Sequence, residues 1–211
     1  MSDVHDRNRA LLDPFRAALY DWDDTAIRQS IDAVFAPDAV IHGCHPFGDM
    51  IGGQAYFDAM IAPLRTAWPD LERRDWIVMA GEDEHGADWI GLGGTYVGTS
   101  ARPWLDIPPT GLLAHIRYHE FYRIEAGKVV EVQALWDIPE VMMLARAWPL
   151  APSLGSELFV PGPASADGLV RPPRDAAESR ASRDLIIEML NHMKRHPSEG
   201  GPEVMEMRRF W

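Results

Sequence analysis

The hydrophobic period of this chain changes from helical to strand-like at Pro69, and that change limits the folds open to it. Ahead of Pro69, apart from one short strand-like run at Ala39 to His42, apolar residues recur every three or four positions, as one face of a helix requires. Beyond it, as far as Trp136, they follow the texture of strands. Arg7 to Tyr20 carries Leu11, Leu12, Phe15 and Leu19 on one stripe. A second helix opens at Asp24, a good N-cap, and carries Ile27, Ile31, Val34 and Phe35 until Pro37. A third spans roughly Gln54 to Trp68, with Pro63 inside it as a source of a kink or an early end. Gly43 to Asp49 is rich in turn residues and reads as a loop.

The β half reads as four strands, at Leu71–Ala80, Trp89–Thr99, Leu112–Ile124 and Val129–Trp136. The last two flank Glu125-Ala126-Gly127-Lys128, a hairpin signal. Gly91, Gly93, Gly94 and Gly98 lie inside the second, where glycines mark bulges or bends of a curved sheet. Ile138 to Trp148 then reads as a helix with Pro139 in its first turn. The expected organisation is one α+β domain over 1–148, a Pro/Gly-rich linker over 149–175 and a helical segment over 176–211.

That last segment echoes the first. Arg183, Leu185, Ile186, Met189 and Met193 repeat Arg9, Leu11, Leu12, Phe15 and Leu19 at one constant offset, and Phe210 falls near the place of Phe35. It reads either as the opening of a second, truncated copy of the domain or as two amphipathic helices that look alike. In both cases an apolar helical face needs cover, which predicts a homodimer or higher homo-oligomer.

Charge narrows the partners. A formal net charge of −12 repels phosphate backbones and anionic lipid, so neither nucleic acid nor a membrane surface is expected as a partner. Met1 to Arg9 lacks the basic start and apolar stretch of a secretory signal, and no apolar run approaches the roughly 20 residues of a membrane span. Cys44 is the only cysteine, which excludes an intrachain disulfide and a cysteine-rich zinc site. A cytoplasmic protein is the expectation.

Ile107-Pro108-Pro109-Thr110-Gly111, Glu120-Phe121-Tyr122-Arg123-Ile124, Gly127-Lys128-Val129-Val130-Glu131 and then Asp137 resemble the SnoaL-like polyketide (ester) cyclases of the nuclear-transport-factor-2-like superfamily. The resemblance covers about residues 8 to 146. It implies a cone-shaped, curved antiparallel sheet wrapped by the N-terminal helices. It also implies intramolecular aldol chemistry on a small-molecule substrate, with no metal and no organic cofactor. Asp137 matches the family's acid/base aspartate. One departure is visible: relatives often carry tryptophan four residues earlier, whereas this chain has Gln133 there and Trp136 beside Asp137.

Aldol closure needs a base for a proton α to a carbonyl and a donor for the developing oxyanion. Asp137 is the candidate base; the other reading makes it the N-cap of the helix after Ile138. His119 and His115 are candidate proton carriers, or histidines satisfied within a network. Arg117 is a candidate carbonyl or carboxylate binder, or the partner of Glu120, Glu131 or Asp137. For the substrate pocket the candidates are His45, Asp49, Trp104, Glu120, Tyr122, Gln133 and Trp136. Alternation leaves open whether His115, Arg117 and His119 or Tyr118, Glu120 and Tyr122 face inward. A site from His42, His45 and Asp49 lacks a compact ligand motif, so no metal ligands are assigned. The competing functional class is a binding or dimerisation module of the same fold.

Overall fold

The computed structural model describes residues 2–151, 162, 164–166, 168, 169, 175–196, 198 and 207–210. The chain divides into two compact units, Met1–Val170 and Arg171–Trp211.

In the first unit α1 (Ser2–Asp21) and α2 (Asp24–Val34) precede β1 (Phe35–Gly43) and β2 (Gly48–Ile51). Asp23, one residue before the expected position, caps α2 by accepting from the Ala26 N–H at 3.0 Å. The turn-rich stretch after Gly43 closes a short hairpin, because β2 pairs antiparallel with β1. The expected third helix comes in three pieces: α3 (Gly53–Tyr56), a π turn (Phe57–Ile61) and α4 (Ala62–Ala67). Pro63 explains the break. It offers no N–H to the ladder, and the wider turn just before it, closed by Ala62 N–H to Phe57 C=O, shifts the register.

Four long strands follow, β3 (Glu72–Glu82), β4 (Asp88–Thr99), β5 (Leu113–Glu125) and β6 (Lys128–Trp136), then α5 (Ile138–Leu144). The sheet order is β2-β1-β6-β5-β4-β3. All neighbours are antiparallel except β1 and β6, which run parallel, so the sheet is mixed where an antiparallel one was expected. A parallel pair needs a long crossover, and everything from β2 to β5 supplies it. The sheet stays open: β2 and β3 are its edges. The β3 edge is partly covered, since the Val78 N–H donates to the Gly168 carbonyl at 3.0 Å.

The inner face of β5 is Ile116, Tyr118, Glu120, Tyr122 and Ile124, all buried. On β6 a bulge opposite Arg123/Ile124 switches parity, so Val129 rather than Val130 is buried alongside Val132, Ala134 and Trp136. Leu12, Phe15 and Leu19 of α1 join this core, as do Ile27 and Ile31 of α2. Gly94 is obligatory in β4. A Cβ there would lie 2.2 Å from the Tyr118 hydroxyl and 2.3 Å from the Arg74 carbonyl.

In the second unit α6 (Ala176–Met193) is capped by Asp175, which accepts from the Ala177 and Glu178 N–H groups. His192 meets Phe210, of the 3-10 turn Met207–Phe210, edge to face at 5.3 Å. Leu185, Ile186 and Leu190 of α6 are about half-exposed. The expected linker and the start of the last helical run fall largely outside the described residues.

Candidate functional site

The interior of the sheet holds a buried carboxylate. Glu120 sits on β5, one of the strands with neighbours on both sides, at a position of its inner face, and its side chain is fully buried. It accepts from Tyr56 Oη at 3.0 Å, Tyr122 Oη at 2.8 Å, Trp136 Nε1 at 3.0 Å and Arg73 Nη2 at 2.9 Å. Arg73, also buried, donates in addition to Tyr96 Oη at 2.5 Å and to Asp75 Oδ1 at 3.0 Å. Its guanidinium lies 4.1 Å from the centre of the Tyr118 ring. Burial opposes the Arg73 charge, but Glu120, the tyrosines and Asp75 outweigh it and raise its pKa. Burial pushes the hydroxyls of Tyr56, Tyr96, Tyr118 and Tyr122 up, so they stay protonated donors.

Asp75 carries this network outward. It accepts from Tyr118 Oη and from Arg16 Nε at 2.6 Å. Burial pushes its carboxyl up, yet Arg73, Tyr118 and Arg16 together hold it below the usual carboxylate range. With Arg73, Arg16 and Tyr20 it lines a cleft of about 890 Å³ between α1 and β3.

A second cluster forms on the outer face, where β6 ends. Arg117 donates from Nε at 3.0 Å and from Nη2 at 2.6 Å to Asp137 Oδ2. The other oxygen, Asp137 Oδ1, accepts the Glu140 N–H at 3.3 Å and caps α5. The pair stays accessible: side-chain exposure is 38% for Arg117 and 27% for Asp137. Arg117, His119, Leu135, Asp137 and Pro139 line a depression of about 390 Å³. His115 stands beside it with Nε2 3.4 Å from Glu140 Oε1. Burial and Arg117 lower the His115 pKa below its ordinary 6.5, against the pull of Asp137.

Across Pro139 lies an apolar hollow of about 530 Å³, with His45, Leu105, Asp106, Ile107 and Met142 in its wall. Next to it, Leu105 and Asp106 both take left-handed backbone, at φ 50° and 62°. Non-glycine residues seldom adopt it, and here the paired hydrogen bonds between Trp104 and Ile107 hold it. The turn buries Trp104, stacked on Trp136 at 6.5 Å.

A model of the SnoaL-like polyketide cyclases matches residues 14–145. The chain belongs to that family. Similar solved structures agree in fold. A candidate SnoaL-like polyketide cyclase from Jannaschia is 18% identical, with TM-score 0.57, over 72% of this chain and 98% of its own. AclR, a candidate hydroxylase from Streptomyces galilaeus, is 23% identical, with TM-score 0.55, over 70% and 89%. IdmH, a candidate polyketide cyclase from Streptomyces antibioticus, is 18% identical, with TM-score 0.51, over 64% and 96%. No curated protein matches the sequence.

Within this SnoaL-like domain the residues singled out from sequence separate into groups. Asp137, Arg117 and His119 share the outer depression, with His115 alongside. Glu120, Tyr122 and Trp136 meet in the interior. His45 borders the apolar hollow, and Trp104 is packed inside next to it. Asp49 and Gln133 lie on the exposed outer side. Asp49 meets His42 Nδ1 at 2.8 Å, and Gln133 donates to Glu131 at 3.1 Å. Arg73, Asp75, Tyr56, Tyr96 and Tyr118 were not singled out, although they complete the interior network. The available signal was Arg73 two positions after Leu71, an arginine at an inward position of a strand.

Among the described residues His5, Glu82 and Asp88 bring ligand atoms within 4.8 Å of one another, far in sequence from the residues above; Glu82 is exposed. No helix among the described residues is long and apolar enough to cross a membrane.

Proposed function

We propose that this SnoaL-like chain is an acid/base enzyme that needs no organic cofactor and acts on a small carbonyl compound. One observation carries the reading: Arg117 and Asp137, a cation and a carboxylate 2.6 Å apart, line a ligand-accessible depression together with His119. In the proposed step the substrate carbonyl oxygen takes Arg117 as its donor. Asp137 accepts the proton from the α-carbon, and the electron pair left behind forms an enolate that Arg117 stabilises. The enolate carbon then attacks a second carbonyl of the same molecule. Asp137 gives the proton it took to the new alkoxide, directly or by way of His119, so no proton is gained or lost. Glu120 stays outside this scheme, because four donors already occupy its oxygens.

The test is hydrogen–deuterium exchange at the methyl group of acetophenone in D2O, followed by NMR. The wild-type protein accelerates exchange, and Asp137→Asn lowers that acceleration at least about 100-fold. Exchange that is equal in the two proteins overturns the reading.

A second reading has its own support. Both Asp137 oxygens are engaged, one by Arg117 and one by the start of α5, which suits a structural carboxylate in a non-catalytic binding module. Under that reading the wild-type protein leaves acetophenone exchange at the buffer rate.

A further inference from the structure

We infer that His5, Glu82 and Asp88 form a binding site for a zinc-class divalent cation, which ties the start of α1 to the β3–β4 hairpin. Three elements supply the ligands. His5 lies in the first turn of α1, Glu82 is the last residue of β3 and Asp88 is the first of β4. Each offers one ligand atom, and the three atoms lie within 4.8 Å of one another. Glu82 and Asp88 are direct cross-strand partners, the pair that closes the hairpin. The fold brings His5 to them. Along α1 and β3, Arg16 reaches Asp75 at one end and His5 reaches Glu82 at the other.

The polar atoms of this cluster lack protein partners. Among the described residues, no hydrogen bond or ion pair engages any of the three side chains, and Asp88 Oδ1 is a buried oxygen without a donor. The neighbouring carboxylate differs: Asp83 accepts from the N–H groups of His85 and Ala87 and from Trp89 Nε1. Like charges directly opposite on paired strands repel, and a buried acceptor without a donor costs free energy. The nearby arginines are engaged elsewhere. Arg9, one turn along α1 from His5, donates to Asp6, and Arg123 pairs with Glu131 and Glu125. A dication answers both costs at once, because it neutralises the carboxylate pair and engages the buried oxygen.

Donor chemistry selects the ion. One imidazole nitrogen and two carboxylate oxygens are ligand types of zinc, whereas calcium and magnesium take oxygen ligands alone. Three protein ligands leave a fourth position for water. In a filled tetrahedral site the ligand atoms lie about 3.4 Å apart, so the cluster needs to close by little more than an ångström. Glu82 is exposed and supplies that movement by a change of rotamer. Asp88 is held, since its strand is paired with β3 on one side and β5 on the other. The cluster shares no residue with the depression around Asp137, and the inference does not depend on the acid/base reading.

The experiment is calorimetric titration of the full chain, free of any histidine tag, with zinc chloride, together with thermal melting in the presence and absence of zinc. One equivalent is expected to bind in the micromolar range or tighter. It raises the melting temperature, because an ion held only by the folded chain stabilises it. His5→Ala and Asp88→Asn each weaken binding at least about 30-fold and remove the rise in melting temperature. His42→Ala, which breaks the separate contact to Asp49, leaves both unchanged. If Asp88→Asn does not fold, Glu82→Gln decides in its place, since that side chain is exposed. A wild-type chain with no saturable zinc binding below about 1 mM overturns the inference. So does zinc binding that survives both His5→Ala and Glu82→Gln, or a site at these residues that takes calcium more tightly than zinc.

Discussion

Arg73 Nη2 donates to Glu120 Oε2 at 2.9 Å while the two side chains are 2% and 0% exposed, so a full ion pair lies in the core of the domain. Taking two charges out of water costs several kcal/mol each, and the pair persists because nearly every donor and acceptor around it is used. Tyr56, Tyr122 and Trp136 complete the carboxylate, and Tyr96 and Asp75 complete the guanidinium.

Removing one partner should therefore cost far more than the pair contributes. Arg73→Met leaves the buried Glu120 carboxyl without its cation, and is expected to lower unfolding stability by about 3–5 kcal/mol. Glu120→Gln keeps an acceptor for the tyrosines but leaves Arg73 in turn without its main counter-charge. The double variant Arg73→Met/Glu120→Gln is expected to be more stable than Arg73→Met alone. Urea unfolding of the four proteins checks this; additive single effects would refute the coupling.

Gly94 predicts a steric failure. Alanine there meets the Tyr118 hydroxyl and the Arg74 backbone, neither of which can step aside without breaking the contact to Asp75 or the β3–β4 ladder. A loss of at least about 2 kcal/mol is expected, read as a lower melting temperature. Gly91→Ala, whose nearest neighbour is the movable Phe121 ring at 3.3 Å, is expected to be milder.

Asp75 predicts an acid limb. Its folded pKa lies below the ordinary 3.8, so the unfolded chain takes up the proton first. The stabilisation is complete above about pH 4 and is lost as pH falls through 3.8 towards the lower folded value. Asp75→Asn should flatten the stability profile in that window, and unfolding curves between neutral pH and pH 3 measure it. An equally steep profile in the variant would remove Asp75 from the account.

Much of this was legible in the residues. The alternation of Tyr118, Glu120 and Tyr122 against Arg117, His119 and Phe121 defines two faces, but it does not say which is inner. The same ambiguity hid the network: the spacing that puts Arg73 on the face of Leu71 does not name its partner Glu120, 47 positions away in the chain. The π turn before Pro63 and the β2 hairpin were missed for a different reason. Each depends on a small local shift, in helix register or strand pairing, that composition does not encode.

By itself the sequence determined the order of the main helices and the four long strands, the hairpin at Gly127, the Asp137 cap signal and the motifs of the family, because these follow from short-range rules of period, capping and turn chemistry. Only the tertiary structure decided that Glu120 is sealed inside while Asp137 and Arg117 meet at an accessible depression on the outer face. Curvature, a parity-switching bulge and the parallel return of β6 beside β1 set those positions, and each is a property of strands packed together rather than of any one of them.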